Sequence, residues 1–214
     1  MTTIWSHYAP NTGNWTNDPS TGWSLTVSFD DLGDLVDRIR RSGVGAGSVT
    51  RLAIVAHGDS DGVVRIDRDL TAGSIRYFEP ALRAIGRFLT RGAFLEFYSC
   101  VAAAGLSGDA LLSSLSRILP GRTIVGFVIN GEFTSGFDNA PGNVGEAAHA
   151  AGSGRAGVRL DPWHYAAKWA RDGAIVREAI FGRDRENRCG NPSCPGHESA
   201  LHHCAGWPIP DVPR

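Results

Sequence analysis

The chain predicts an α/β fold: a three-layer sandwich around a mainly parallel sheet, followed by a small Cys/His-rich tail. Two observations carry this. Strand-like runs alternate with segments of helical period from residue 23 to residue 129, and that rhythm joins parallel strands through crossover helices. Two of the runs, Arg51-Leu-Ala-Ile-Val-Ala-His57-Gly58 and Ala93-Phe-Leu-Glu-Phe-Tyr-Ser-Cys100, are largely apolar until they stop on a reactive side chain. Parallel strands present functional groups at their carboxyl ends. One imidazole and one thiol are therefore expected on a common rim.

Taken in order, residues 1–22 are polar and punctuated by Trp5 and Trp15, and read as an arm held by its aromatics. Residues 23–29 alternate apolar and polar, the period of a half-buried strand. Residues 30–41 follow as a helix with Leu32, Leu35, Val36 and Ile39 on one face. Asp30 and Asp31 stand at its start and Arg40 and Arg41 at its end, as a helix dipole favours. The strand at 52–56 lacks alternation, as a strand covered on both faces does. Asp59-Ser60-Asp61-Gly62 is a turn, and residues 63–66 are one arm of a short hairpin. Residues 74–89 form a helix with Ile75, Phe78, Leu82, Ile85 and Leu89 inward, and Pro80 marks a kink or a later start. A strand at 94–98, a helix at 106–119 and a strand at 123–129 continue the rhythm. Residues 130–157 read as a Gly- and Ala-rich loop, 161–172 as a helix carrying Trp163 and Trp169, and 174–181 as a last strand. The domain so outlined is 23–181, with the tail over 182–214.

The formal net charge is −1 and no basic stripe is present, which weighs against nucleic acid as a partner. No apolar run approaches the ~20 residues that span a bilayer. The start, Met1-Thr-Thr-Ile-Trp5, is not read as a secretory signal. A cytoplasmic location is expected, and there disulfides are disfavoured. The four cysteines, Cys100, Cys189, Cys194 and Cys204, then need another chemistry.

For Cys100 that chemistry is nucleophilic. A cysteine attacks as its thiolate, and a nearby imidazole lowers the thiol pKa and carries the proton. Oxyanion stabilisation needs backbone N–H donors, and the amides of Gly58 and Cys100 are candidates. A His-Gly after one hydrophobic strand, an Asp-rich turn with a short hairpin, and a Cys after the next strand resemble the caspase-like cysteine peptidases. That clan includes caspases, metacaspases, gingipains, clostripain and separase. The resemblance covers residues 23–135. It implies a caspase-like fold acting on protein or peptide substrates, with His57 as general base and acid, Cys100 as nucleophile and Gly58 as an oxyanion donor. The Gln-Ala-Cys-x-Gly signature of caspases proper is replaced by Tyr98-Ser99-Cys100-Val101-Ala102. The likeness is thus to the broad bacterial branches.

Asp59 and Asp61 are candidates for a pocket that takes a basic side chain, or are solvated turn residues. Glu132 and Ser135 fall in a segment that lines the substrate cleft in such folds. Two other readings stay open. One is a non-catalytic interaction module in which Cys100 packs as a small hydrophobe. The other is a different thiol hydrolase or transferase. Glu96 stands inside an apolar strand; it pairs with an arginine, orients His57 or faces solvent.

In the tail, Cys189, Cys194 and Cys204 with His197 supply four sulfur and nitrogen ligands for a structural zinc site, with His202 and His203 as rivals for the fourth position. The tail has little apolar content, so metal binding would drive its folding. Unpaired thiols, or a disulfide in an exported protein, are the alternatives.

Overall fold

A computed structural model describes residues 1–11, 23–58, 60–99, 101–128 and 166–180. In chain order these form β1 (Thr2–Tyr8), β2 (Leu25–Phe29), α1 (Leu32–Arg41), β3 (Val49–Val55), β4 (Val64–Ile66) and β5 (Arg68–Leu70). α2 (Ile75–Phe88), β6 (Leu89–Tyr98), α3 (Gly105–Ile118), β7 (Thr123–Phe127), β8 (Ala166–Arg171) and β9 (Ala174–Ile180) follow. One sheet runs in the order β2-β1-β3-β6-β7-β8-β9. The strands from β2 across to β7 are parallel, and β8 and β9 are antiparallel. β4 and β5 make a separate antiparallel hairpin.

The helices follow from local signals. Asp31 caps α1, its carboxylate accepting the Asp34 N–H at 2.8 Å. α2 runs unbroken through Pro80, which lies on its exposed side. At its far end the Arg122 guanidinium donates to Gly86 O and Leu89 O at 2.9 and 3.0 Å, satisfying carbonyls that the helix leaves open. All three helices bury their apolar stripes in one core. Leu35 and Ile39 of α1, Leu82 and Ile85 of α2, and Leu111 and Leu115 of α3 join Leu52, Ile54, Leu95, Phe97 and Ile124 from one face of the sheet. Each such side chain contributes about 1.5–3 kcal/mol when fully buried.

The opposite face carries a row of aromatics. Ring centroids are 5.3 Å apart for Trp23–Trp5, 5.0 Å for Trp5–Tyr98 and 5.2 Å for Tyr98–Phe127, all tilted, the geometry that aromatic pairs prefer. Among the described residues no helix belongs to this second core. The other helical layer of the expected three-layer sandwich is not found among them.

The mixed α/β architecture and the mainly parallel sheet match the expectation, as do α1, α2, α3 and the β4–β5 hairpin. Two elements correct it. Residues 1–22 were expected as an arm, yet Thr2–Tyr8 is a strand inside the sheet, between β2 and β3. Its buried polar residue is satisfied, because the Ser6 hydroxyl donates to Ala53 O at 2.5 Å. The helix expected over 161–172 is replaced, over its described part, by strand β8. Asp172 and Gly173 take φ of 49° and 91°, the left-handed pair that makes a tight hairpin turn into β9. No helix among the described residues is long and apolar enough to cross a membrane.

Candidate functional site

The carboxyl ends of β1, β3, β6 and β7 share one rim. Chain progression reverses at β1, and ligands of open α/β sheets bind outside the carboxyl ends at such a reversal. β3 and β6 are hydrogen-bonded neighbours there, with Val55 level with Tyr98. His57 lies two residues past Val55, and Cys100 two residues past Tyr98.

The two chains stay joined beyond the strands. The Ala56 N–H donates to Tyr98 O at 3.3 Å. The buried Ser99 hydroxyl then donates to Ala56 O at 2.6 Å and lies 3.3 Å from His57 O. His57 is exposed and Gly58 half-buried. The His57 carbonyl also accepts the Arg65 N–H at 2.8 Å, which ties the strand end to β4.

The chain leaving position 100 is held from several sides. Val101 has a φ of 47°. A left-handed conformation costs an L-residue about 1–2 kcal/mol, and a β-branched residue is a genuine outlier there. Its carbonyl accepts the Gly62 N–H at 3.2 Å and the Ala104 N–H at 2.9 Å. The Ala103 N–H donates to Phe127 O at the end of β7, at 2.9 Å. α3 lies so close behind that a Cβ on Gly108 would stand 2.2 Å from the Ala103 carbonyl carbon. Strain of this kind persists only where surrounding contacts over-determine it, and it clusters at functional sites.

Of the other expected site residues, Asp61 is described and exposed. A Cβ on Gly105 would stand 2.8 Å from Asp61 Oδ2, so its carboxylate faces the start of α3, where negative charge is favourable. Cys100, Asp59, Glu132 and Ser135 lie outside the described residues. So do the expected zinc ligands Cys189, Cys194, His197 and Cys204. Among the described residues no cluster of His, Cys, Asp and Glu is arranged to hold a metal.

Glu96 proves to be an ion-pair partner. It is fully buried, and both its oxygens accept from the Arg51 guanidinium, Oε1 from Nε and Oε2 from a terminal nitrogen at 2.9 Å. The same guanidinium reaches the Tyr98 hydroxyl at 3.3 Å and lies 4.7 Å from the Trp23 ring centroid. Burial pushes the Glu96 carboxyl above its ordinary range, opposed by Arg51. Burial is the largest influence on Arg51 and disfavours its charge, but the Glu96 carboxylate and Tyr98 together outweigh it and raise the Arg51 pKa. These shifts pull the pair in opposite senses. Two parallel bonds to a guanidinium that does not deprotonate make the ionised pair the state at neutral pH. At the end of β1, burial and then the Arg38 charge hold the His7 imidazole below its usual range.

Sequence reasoning assigned no role to Ser99, Val101 or Gly62. Gly62 stood out only as the last residue of an Asp-rich turn, and Ser99 and Val101 only as flanks of Cys100. A family described as a domain of unknown function (DUF4347) matches residues 20–125, a stretch that includes both His57 and Cys100. No curated protein and no solved structure matches the chain.

Proposed function

We propose that the protein is a cysteine peptidase of caspase-like type, in which His57 and Cys100 act together at the carboxyl rim of the sheet. The observation that carries the reading is the β3–β6 register, with Val55 opposite Tyr98. Both reactive residues lie two positions beyond that pair, and parallel strands rise equally per residue. That equal offset supports reading an imidazole and a thiol as partners on this rim. The bonds from Ser99 to the end of β3, and those fixing Val101 and Ala103, support a preorganised nucleophile loop.

In this reading the Cys100 thiol gives its proton to His57, and the thiolate attacks the scissile carbonyl carbon. A C–S bond forms while the oxyanion collects at backbone N–H groups, Gly58 and Cys100 being the candidate donors. Collapse breaks the C–N bond, and His57 returns the proton to the leaving amine. Water next attacks the thioester while giving a proton to His57. The C–S bond breaks, the acid product leaves, and the thiol regains its proton. The tail joins the proposal as a structural zinc site held by Cys189, Cys194, His197 and Cys204.

Cleavage of a peptide library, together with labelling by a thiol-directed peptide probe, tests the reading. The unsubstituted chain is expected to cleave and to be labelled, and Cys100→Ala to do neither. Cleavage retained in Cys100→Ala rejects the peptidase. A chain that cleaves nothing while its thiol stays unlabelled favours the non-catalytic module.

A further inference from the structure

The β4–β5 hairpin and the turn before it bond to the backbone of His57 and of the residue after Cys100. Its Arg65 N–H donates to the carbonyl of His57 itself at 2.8 Å. From the turn leading into it, the Gly62 N–H donates to Val101 O, the residue after Cys100, at 3.2 Å. Beside it, the Asp61 carboxylate lies against Gly105 at the start of α3. We infer that this hairpin is a yoke: it sets the base and the nucleophile loop in one fixed relation, and Gly62 is the positioning residue that lets it close on both. The inference rests on the proposed reaction and adds a positioning element to it.

The hairpin is built to be stiff. Val64, Ile66 and Leu70 are buried in the main core, so it is anchored along its length. Its exit is tied to the start of α2, where the Ser74 hydroxyl donates to Asp69 O at 2.5 Å and accepts the Thr71 N–H at 2.9 Å. Gly62 needs to be glycine for two reasons. Its φ is 74°, and a Cβ there would lie 2.4 Å from Ser107 C, 2.6 Å from Ser107 O and 2.7 Å from Gly108 N. All three atoms are backbone and cannot swing aside. Ordinary contact begins at 3.4 Å, so any side chain drives the turn about 1 Å away from α3. A shift of that size breaks the 3.2 Å bond to Val101 if it carries the turn away from the loop. Misplacement by 1 Å costs catalysis about 10²-fold.

Gly62→Ala in the full chain is the test, with Gly92→Ala as the matched control. Gly92 also has a positive φ, 83°, but a Cβ there meets nothing within 4 Å. Gly62→Ala is expected to lower kcat about 10²-fold with KM little changed. It should also move the pH dependence of Cys100 alkylation up toward that of a free thiol. Gly92→Ala is expected to change neither. A folded Gly62→Ala with unaltered kcat and alkylation profile overturns the yoke, and so does an equal loss of kcat in Gly92→Ala. Hydrogen exchange on the unsubstituted protein needs no variant to fold: the Gly62 and Arg65 amides are expected to be as protected as the β3–β6 ladder, and open-loop exchange at either overturns the inference. Activity retained in Cys100→Ala sinks the peptidase reading itself, whereas a dead Cys100→Ala beside a fully active Gly62→Ala sinks only the yoke.

Discussion

Replacing Glu96 by leucine removes the carboxylate and leaves the Arg51 guanidinium against an aromatic surface. The Arg51 side chain is 23% exposed and Glu96 1%. Removing one partner of a buried pair costs about 3–5 kcal/mol. Arg51 keeps some water, the Tyr98 hydroxyl and the Trp23 ring, so the low end, about 3 kcal/mol, is expected. That corresponds to a fall in Tm of about 6–12 °C for a domain of this size. Urea titration should show a lower midpoint at unchanged slope. The double variant Arg51→Met with Glu96→Leu should recover most of the loss, since apolar replacement of a whole buried pair is often neutral. Arg51→Met alone strands Glu96 as a buried carboxylate, whose pKa then rises further. Between its unfolded and its raised folded pKa the native state binds the extra proton, so the deficit of this variant shrinks as pH falls through that window. A Glu96→Leu protein within about 0.5 kcal/mol of the parent, or a double variant no better than the single, would refute the reasoning.

Gly108→Ala should destabilise by about 1–3 kcal/mol, because its Cβ would meet Ala103 backbone at 2.2 Å; chemical denaturation measures it, and a neutral result contradicts the close packing of α3 on the loop. Burial and then Arg38 hold His7 below the ordinary imidazole pKa of about 6.5, so its contribution is intact above that pH and is lost as pH falls toward the lowered folded pKa. His7→Gln should flatten that acid-side slope in a pH series of melts, and an unchanged slope rejects the assignment. Metal analysis of the purified chain is expected to find one zinc per chain, with chelation lowering Tm; metal-free protein of equal Tm rejects the tail site.

The parts of the fold that were legible in the sequence were those with a strong period. Leu32, Leu35, Val36 and Ile39 sit in the core as their spacing implied, and so do Phe78, Leu82 and Ile85. β1 was missed because Ser6 and His7 interrupt its apolar residues. Only the sheet supplies the carbonyl that satisfies Ser6, and Thr, Ile, Trp and Tyr there were a weak strand signal. β8 was misread because Ala and Lys are good helix formers. The signal that should have won was Asp172-Gly173 between two short runs, a hairpin dipeptide. Lys168 hid the strand further: it is buried, and its charge is met by Asp109 of α3 at 2.5 Å, a partner distant in sequence. In the candidate site the strand-end position of His57 was legible. The contacts of Gly62, Ser99 and Val101 were not: those of Gly62 and Val101 are backbone bonds between distant loops, and the Ser99 hydroxyl meets carbonyls some forty residues away, partners that no local pattern names.

Whether His57 and Cys100 form a working pair is tested most directly by the alkylation rate of Cys100 as a function of pH. Cys100 is read at its own peptide by mass spectrometry, in the unsubstituted chain and in His57→Ala. A paired thiol should react with an apparent pKa well below the ~8.5 of a free cysteine, and His57→Ala should return the curve to that value. Superimposable curves in the two proteins would contradict the pair.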